Sequence, residues 1–138
     1  MRERIKSQRG AAAVEFAIIA PLLFMLIFGI VEFGLVWSQK NVYVGAAREG
    51  ARYAAVRCQP DGGSGGCTLD LIRERVRDAA VGYPANVDDA SFAVAPSTGC
   101  TAAGGEVKVS WTQPMAIQIP FLPDYNLSVP IEAVFRCE

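Results

Sequence analysis

The apolar and charged positions of this chain predict a membrane-spanning helix near its N-terminus. No charged residue occurs between Phe16 and Val31, and the apolar character continues to Trp37. The 22 residues from 16 to 37 would form a helix about 33 Å long, which matches a hydrocarbon core of about 30 Å. Since the rest of the chain is too small to bury such a helix on all faces, we expect it to cross a membrane.

Small residues follow the apolar run at helical spacing. No proline occurs between residues 38 and 57, so the helix is predicted to continue beyond the membrane to about residue 57. Two sets of small residues recur every four positions, which places each set on one helix face and lets another backbone approach closely. We expect these faces to pack against the protein's own sheet or against a partner's helix. The sets are Ala46, Gly50 and Ala54, and Ala47, Ala51 and Ala55.

The remainder of the chain predicts a second helix and a small antiparallel sheet. Thr68 is a candidate N-cap for an amphipathic helix that ends near Val81, with a solvated face of arginines. Apolar residues then alternate with polar or small ones around residues 92–94, 107–111 and 127–135, as in half-buried strands. The predicted fold class is therefore α+β, with a long N-terminal helix, a second amphipathic helix and a small antiparallel sheet of three to four strands.

Prolines modify this strand pattern. Pro130 lies inside the last run, which predicts an edge strand or a bulge there. The stretch "QPMAIQIPFLPDYN", residues 113–126, contains three prolines and several apolar residues. We expect it to form a bent strand or a loop over the sheet, and it is a candidate surface for a partner.

The charge distribution predicts the orientation of the helix. Four basic residues precede Gly10, with only Glu3 against them, so the positive-inside rule places the N-terminus in the cytoplasm. From Ala11 onward, nine basic and thirteen acidic residues leave a formal charge of −4, and a nucleic-acid footprint is not expected. No A-x-A site follows the apolar run, which argues against a cleaved secretory signal.

Four cysteines, all after the apolar run, predict two disulfides in an oxidising compartment. Three connectivities are possible, and we favour Cys58 with Cys67 and Cys100 with Cys137. The chain has no histidine, so a zinc site would need all four thiolates at unusual spacings, and no metal or cofactor is expected. The missing histidine also removes the commonest general base, which disfavours an enzyme.

Two acidic residues mark the ends of the apolar helix. Glu15 and Glu32 are 17 positions apart, about 25 Å along a helix, so each can lie near one face of the bilayer. We interpret Glu32 as an interface residue that reaches the headgroups. Pro21 removes one backbone donor inside the helix and predicts a kink or a locally melted turn.

A short motif gives this helix a family resemblance. Gly10, four residues, Glu15 and Phe16, placed between a basic leader and an apolar run, resemble the class III signal of type IV pilin-like proteins. They resemble more closely the TadE-like minor pilins of the tight-adherence (Tad) pilus. The later "AAREGARYA" is also similar to that family, so the resemblance covers about residues 9–57. Ala11 stands where ordinary type IV pilins have phenylalanine, which favours the Tad branch and leaves N-methylation open.

The resemblance implies processing and assembly. A membrane-embedded prepilin peptidase would cut between Gly10 and Ala11 on the cytoplasmic side. Glu15 would then be the fifth residue of the mature chain, and we expect its carboxylate to pair with the new amine of an adjacent subunit. An unpaired charge would penalise misaligned subunits, so this pair would set their register.

The expected protein is a non-enzymatic minor pilin or pseudopilin that helps to assemble or prime a Tad-type pilus for adhesion. Its parts would be a leader (1–10), a transmembrane and extended helix (11–57) and a periplasmic disulfide-stapled domain (58–138). The expected location is the bacterial inner membrane, in a single pass, before incorporation in an extracellular pilus. The expected partners are the peptidase, other pilins and the assembly platform, with no small-molecule substrate.

A second interpretation is an uncleaved, membrane-anchored envelope protein with a periplasmic interaction or ligand-binding domain. The candidate polar residues for a cleft are Asp88, Asp89 and Asp124, but they lack the spacing of a calcium loop. Aspartates in such turn-like sequences are usually solvated. An intact leader in the mature protein would favour this interpretation.

Overall fold

A computed structural model describes residues 2–58, 68–97, 99–120 and 122–137 of the chain, with the side chains of the leader left out. These residues form two helices and a three-stranded antiparallel sheet, which confirms the predicted α+β class. The strand order is β1-β2-β3, and the sheet packs on α1, which also packs against α2. The elements are α1 (Arg2–Arg57), α2 (Leu69–Ala79), β1 (Ala93–Ala95), β2 (Glu106–Ile117) and β3 (Tyr125–Arg136).

The first helix is continuous over 56 residues. It passes through Pro21 without an interruption, so the predicted local melting at this residue is wrong. A proline removes one backbone donor, and the hydrogen bonds of the turns on either side suffice to keep the segment helical. The same continuity carries the apolar segment directly into the folded part of the molecule.

The C-terminal part of α1 packs against its own domain through the predicted small residues. Ala47, Ala51 and Ala54 are fully buried, and Ala46 and Gly50 are buried with them. A Cβ built on Gly50 would lie 2.5 Å from Cγ2 of Val76 on α2. The packing against the protein's own domain is therefore confirmed, and these residues are not available to a partner's helix, because α2 and the sheet already cover them.

Replacing Gly50 with alanine tests this close approach. We expect Gly50→Ala to lower the free energy of unfolding by about 1–2 kcal/mol, because Val76 is β-branched and fully buried and has little freedom to move away. Gly45→Ala is the matched control, since a Cβ at this exposed helical glycine meets nothing within 4 Å. That variant should gain about 1 kcal/mol from helix propensity alone. Chemical unfolding of both variants in detergent gives the comparison, and equal stabilisation would contradict the tight packing at residue 50.

The second helix begins at the predicted cap. The hydroxyl of Thr68 accepts a hydrogen bond from the amide of Leu71 at 3.4 Å, and Ile72 and Val76 are fully buried. The helix ends at Ala79, two residues before the predicted end, because the amide of Ala80 closes the last turn and Gly82 then takes a positive φ of 83°. The predicted start is thus confirmed, and Ile72, Val76 and Ala80 form the buried face, whereas Leu69 is 37% exposed.

The arginines of α2 are exposed at Arg75 and Arg77, as the predicted solvated face requires, whereas Arg73 is partly buried. The guanidinium of Arg73 lies 5.4 Å from the ring centre of Phe92, and that of Arg75 lies 5.2 Å from the ring centre of Tyr53. Arg77 pairs with Asp88. Arginine stacks on aromatic faces while its stem covers apolar surface. These side chains therefore help to cover the aromatic part of the core.

The alternating apolar residues of the predicted strands lie on one buried face of the sheet. Val109 lies opposite Ala133, and Trp111 lies opposite Ile131, with all four side chains buried on the face toward the helices. β3 has one neighbouring strand, so Pro130 lies in an edge strand as predicted. Residues 113–126 supply the end of β2, the connection and the start of β3, so the predicted bent strand or loop is the closed end of a β-hairpin.

One predicted disulfide lies within the described residues. Cys100 and Cys137 are joined, with their Cα atoms 5.8 Å apart, and they tie the start of the β1–β2 connection to the end of β3. Closing this loop is expected to stabilise the fold by about 4 kcal/mol in the chain-entropy account. Cys58 is buried at the end of α1, and its predicted partner Cys67 lies outside the described residues. That second pairing stays a prediction.

A buried glutamine organises the other end of the sheet. The Oε1 atom of Gln113 accepts hydrogen bonds from the amide of Asn86 at 2.8 Å and from Nε1 of Trp111 at 3.1 Å. Its Nε2 atom donates to the carbonyl of Pro84, which also accepts from the hydroxyl of Tyr43. The side chain thus connects β2, α1 and the loop after α2.

Removing this amide should destabilise the domain without changing its outer surface. We expect Gln113→Leu to lower the free energy of unfolding by about 2–4 kcal/mol, because the donors of Trp111 and Asn86 would lose their acceptor. Gln118→Leu is the control, since this exposed residue should change the free energy by about 0.5 kcal/mol or less. Tryptophan fluorescence during urea unfolding measures both, and similar midpoints would contradict the role of Gln113.

Candidate assembly and processing site

The N-terminal part of α1 exposes an apolar surface along its length. Its best 18-residue window has a mean hydropathy of 2.6, and only 6% of that window is buried. Within the described residues this is the one helix long and apolar enough to cross a membrane, judged by length and composition. Because the folded domain does not cover this surface, it requires another apolar environment.

The residues of the processing motif lie together on this exposed helix. Gly10, Ala11, Glu15 and Phe16 are all helical and exposed. Ala11 and Glu15 are four positions apart, so they lie on the same face, about 6 Å apart along the axis. Glu15 makes no ion pair or hydrogen bond with any side chain that the structure describes. The carboxylate is therefore available to an external partner.

The outward end of the apolar segment has the features of a membrane interface. The rings of Phe33 and Trp37 stack with their centres 6.3 Å apart, and Nζ of Lys40 lies 5.8 Å from the centre of the Trp37 ring. Glu32 directly precedes Phe33 in the helix and is partly exposed. Aromatic and basic side chains of this kind are typical of the headgroup level. The role of Glu32 as an interface residue stays a prediction, and Trp37 is a second candidate for this level.

The three aspartates of the second interpretation do not converge. The amide of Ser91 donates to Oδ1 of Asp89 at 2.7 Å, and this hydrogen bond lowers the pKa of Asp89. Asp88 is engaged by Arg77, and Asp124 is exposed near the end of the hairpin. Among the described residues, no group of three or more Asp, Glu or Cys side chains is placed to hold a metal ion. Asp88 and Asp89 instead act within one local turn.

An arginine-lined surface pocket of about 220 Å³ lies beside α1 and α2. Three of its charged side chains have partners within the protein, because Arg52 pairs with Glu49 at 2.8 Å and Arg75 stacks on Tyr53, and Arg57 also lines the pocket. The Glu49–Arg52 pair matches its helical spacing and is exposed, so it contributes little to stability. The charged residues that line the pocket thus interact mainly with neighbouring side chains of the protein.

Two structurally important residues have no clear signal in the sequence. Gln113 resembles the exposed polar residues of the same strand, although it is buried. Gly99 lies in a serine- and glycine-containing turn, yet a Cβ on it would overlap the end of α1. A polar residue at an inward position of β2 is the one sign that could indicate Gln113, because the alternation places residue 113 on the same face as Val109 and Trp111.

Comparison with known proteins supports the resemblance of the N-terminal helix. The model of the family described as TadE-like protein matches residues 10–52, a range that begins at Gly10 and contains Glu15, Phe16 and most of the small residues of α1. No curated protein matches the chain, and no solved structure does. The helix that carries the motif is thus similar to the TadE-like family, consistent with a TadE-like protein of the Tad pilus system.

Proposed function

We propose that the chain is the precursor of a non-enzymatic minor pilin or pseudopilin. A prepilin peptidase would cut it between Gly10 and Ala11, and the mature chain would help to assemble or prime a Tad-type pilus for surface adhesion. One observation carries the proposal: an uncovered apolar helix bears the processing motif and continues without a break into a folded domain. The family match over residues 10–52 supports it.

Helix α1 has an exposed apolar part and a part that packs against the folded domain, so one helix can lie both in a membrane and in the domain. From residue 43 onward, one face of the helix is buried by α2 and the sheet, whereas residues 10–37 are mostly exposed. The apolar part would lie in the inner membrane before assembly and among the helices of other pilins afterwards. The folded part would keep the same packing in both states, because its small residues are already covered.

The proposed topology places the two ends of the chain in different compartments. The leader, with four basic residues, would lie in the cytoplasm, where the peptidase cuts. The domain with the Cys100–Cys137 disulfide would lie in the periplasm, where disulfides persist. Other pilins and the assembly platform would then meet the helix within the membrane.

The cleavage site can be altered without disturbing the fold. A Cβ on Gly10 would meet nothing within 4 Å, so Gly10→Ala should leave the folded domain unchanged. The bond to Ala11 lies within the helix, and a peptidase must open this turn to reach it. Glycine makes such opening easier by about 1 kcal/mol relative to alanine. Loss of cleavage in this variant would therefore arise at the peptidase step.

The test is the intact mass of the membrane-extracted protein from cells with and without the cognate peptidase. We expect the native chain to begin at Ala11 only when the peptidase is present, and Gly10→Ala to keep residues 1–10. Gly29→Ala is the matched control, because Gly29 is also a glycine of α1 with no atom within 4 Å of a built Cβ. Retention of the leader by the native chain in both strains would favour the uncleaved envelope protein.

A further inference from the structure

The closed end of the β2–β3 hairpin is an exposed apolar surface that the proposed function does not use. We call residues 117–120 and 122–127 the hairpin tip. No charged residue occurs between Lys108 and Asp124. Leu122 is 45% exposed, Tyr125 is 65% exposed and Leu127 is 41% exposed, whereas near the disulfide one face of the same two strands is buried.

Two sets of contacts fix the direction in which β2 runs along α1. Val109 lies beside Gly50, since a Cβ there would be 3.9 Å from Cγ1 of the valine. Four residues later, Gln113 donates to the carbonyl of Pro84 at 3.4 Å, and Tyr43 donates to the same oxygen at 3.3 Å. Strand β2 therefore runs toward the N-terminus of α1, in the direction of the apolar segment.

The same spacing gives the level of the hairpin tip. Ile117 lies four residues beyond Gln113, about 13 Å farther along the strand. That distance corresponds to about nine residues of helix. Counted back from Tyr43, it places the tip at the level of roughly residue 34 of α1. Val36 packs against the buried core, so the folded domain does reach this level. Trp37, with Lys40 over its ring, marks the headgroup region there.

We propose that the hairpin tip inserts into the outer interface of the membrane that α1 spans. The inference rests on the membrane anchorage of the proposed function. Leu122 and Leu127 would enter the acyl boundary, Tyr125 would keep its hydroxyl among the headgroups, and Asp124 would stay in the hydrated layer. A lipid surface fits better than a protein partner, because the apolar groups lie at one membrane level rather than across the domain.

A second lipid contact has a mechanical consequence. With α1 alone, the domain could tilt relative to the bilayer, but a tip held at the interface limits this tilt. Because α1 packs against its own sheet, neighbouring pilins would therefore meet the uncovered face of the helix at a defined angle. When the subunit leaves the bilayer, the tip is released and its apolar surface becomes available to the filament.

Photo-crosslinking of the full chain in phosphatidylcholine vesicles tests this contact. Benzoylphenylalanine replaces Leu122 or Tyr125 in the tip, Val31 in the apolar helix, or Val134 in β3. Val134 is the matched control, because it is 50% exposed on the same strand but lies at the far end of the hairpin, opposite Lys108. We expect lipid adducts by mass at 31, 122 and 125, and none at 134.

Any other pattern of adducts contradicts the inference, and each pattern identifies which step of the argument is wrong. Adducts at 31 without adducts at 122 or 125 would leave the anchor intact and place the tip in water. Protein adducts at 122 or 125 would make the tip a pilin contact. Absence of adducts at 31 would refute the anchorage on which the inference rests. The Cys100–Cys137 disulfide, read from the same masses, confirms that each variant has folded.

Discussion

Gly99→Ala is expected to lower the free energy of unfolding of the domain that contains the sheet by about 3–5 kcal/mol. Two costs combine at this residue. Its φ is +80°, a left-handed conformation that costs an L-residue with a Cβ about 1–2 kcal/mol. The new Cβ would also lie 2.2 Å from Cβ of Cys58 and 2.5 Å from its carbonyl oxygen. Both neighbours belong to the end of a rigid helix.

The position of Gly99 explains why small movements of the loop cannot relieve this overlap at low cost in free energy. Its amide donates to the carbonyl of Pro96 at 3.0 Å, and its neighbour Cys100 is covalently tied to Cys137. The loop is thus fixed on one side by a turn and on the other by a disulfide. Moving the loop away from α1 would distort the sheet end, whereas moving α1 would disturb its packing against α2.

Gly104→Ala separates the two costs. Gly104 has a φ of +79°, but a Cβ there meets nothing within 4 Å, so this variant carries only the conformational cost of about 1–2 kcal/mol. Near-UV circular dichroism during urea unfolding in detergent follows the domain, because Trp111 is buried in it whereas the membrane helix persists in detergent. If Gly99→Ala and Gly104→Ala lowered the free energy of unfolding equally, the end of α1 would have moved to accommodate the new Cβ, and the expected clash would be contradicted.

The sequence predicted the elements whose signal is periodic. The length and apolar character of residues 16–37 predicted the exposed helix, and the alternation around Val109 and Ile131 predicted two strands with the correct buried face. Apolar or small residues that recur every two or four positions are a local property of the chain, so they can be recognised without knowledge of the fold. The cysteine count and loop lengths favoured the Cys100–Cys137 pair, which the structure contains.

The remaining features depend on which surfaces meet. A row of small residues on α1 allows any other backbone to approach closely. The pattern alone therefore left open whether α1 packs on its own sheet or on a partner's helix. Arg73 and Arg75 lie at positions that would be solvated on an isolated helix, but they cover Phe92 and Tyr53 after folding. The role of Gly99 arises from contact with Cys58, 41 positions away, which no local pattern encodes.

Glu15→Gln in the processed chain is expected to reduce co-assembly with pilus subunits by about a hundredfold or more, while membrane insertion is retained. Cleavage at Gly10 would create a positively charged amine at Ala11, on the same helix face and one turn away from Glu15. In a filament or bilayer, an adjacent subunit's amine would lose its counter-charge in the variant. Breaking one partner of a desolvated pair typically costs about 3–5 kcal/mol, which is more than a hundredfold in an equilibrium.

Glutamine keeps the length of the side chain and its hydrogen-bonding oxygen, so the variant removes the charge and little else. Glu32→Gln is the control, because it makes the same change at the outward end of the same apolar helix, about 25 Å from residue 15. Quantitative co-purification measures assembly, and intact mass in the same samples shows whether residues 1–10 have been removed. A cleaved Glu15→Gln chain that still co-purifies normally, or an equal loss with Glu32→Gln, would contradict pairing with the amine. A loss confined to cleaved Glu15→Gln would assign subunit register to that carboxylate, since both variants share the same helix, domain and change of charge.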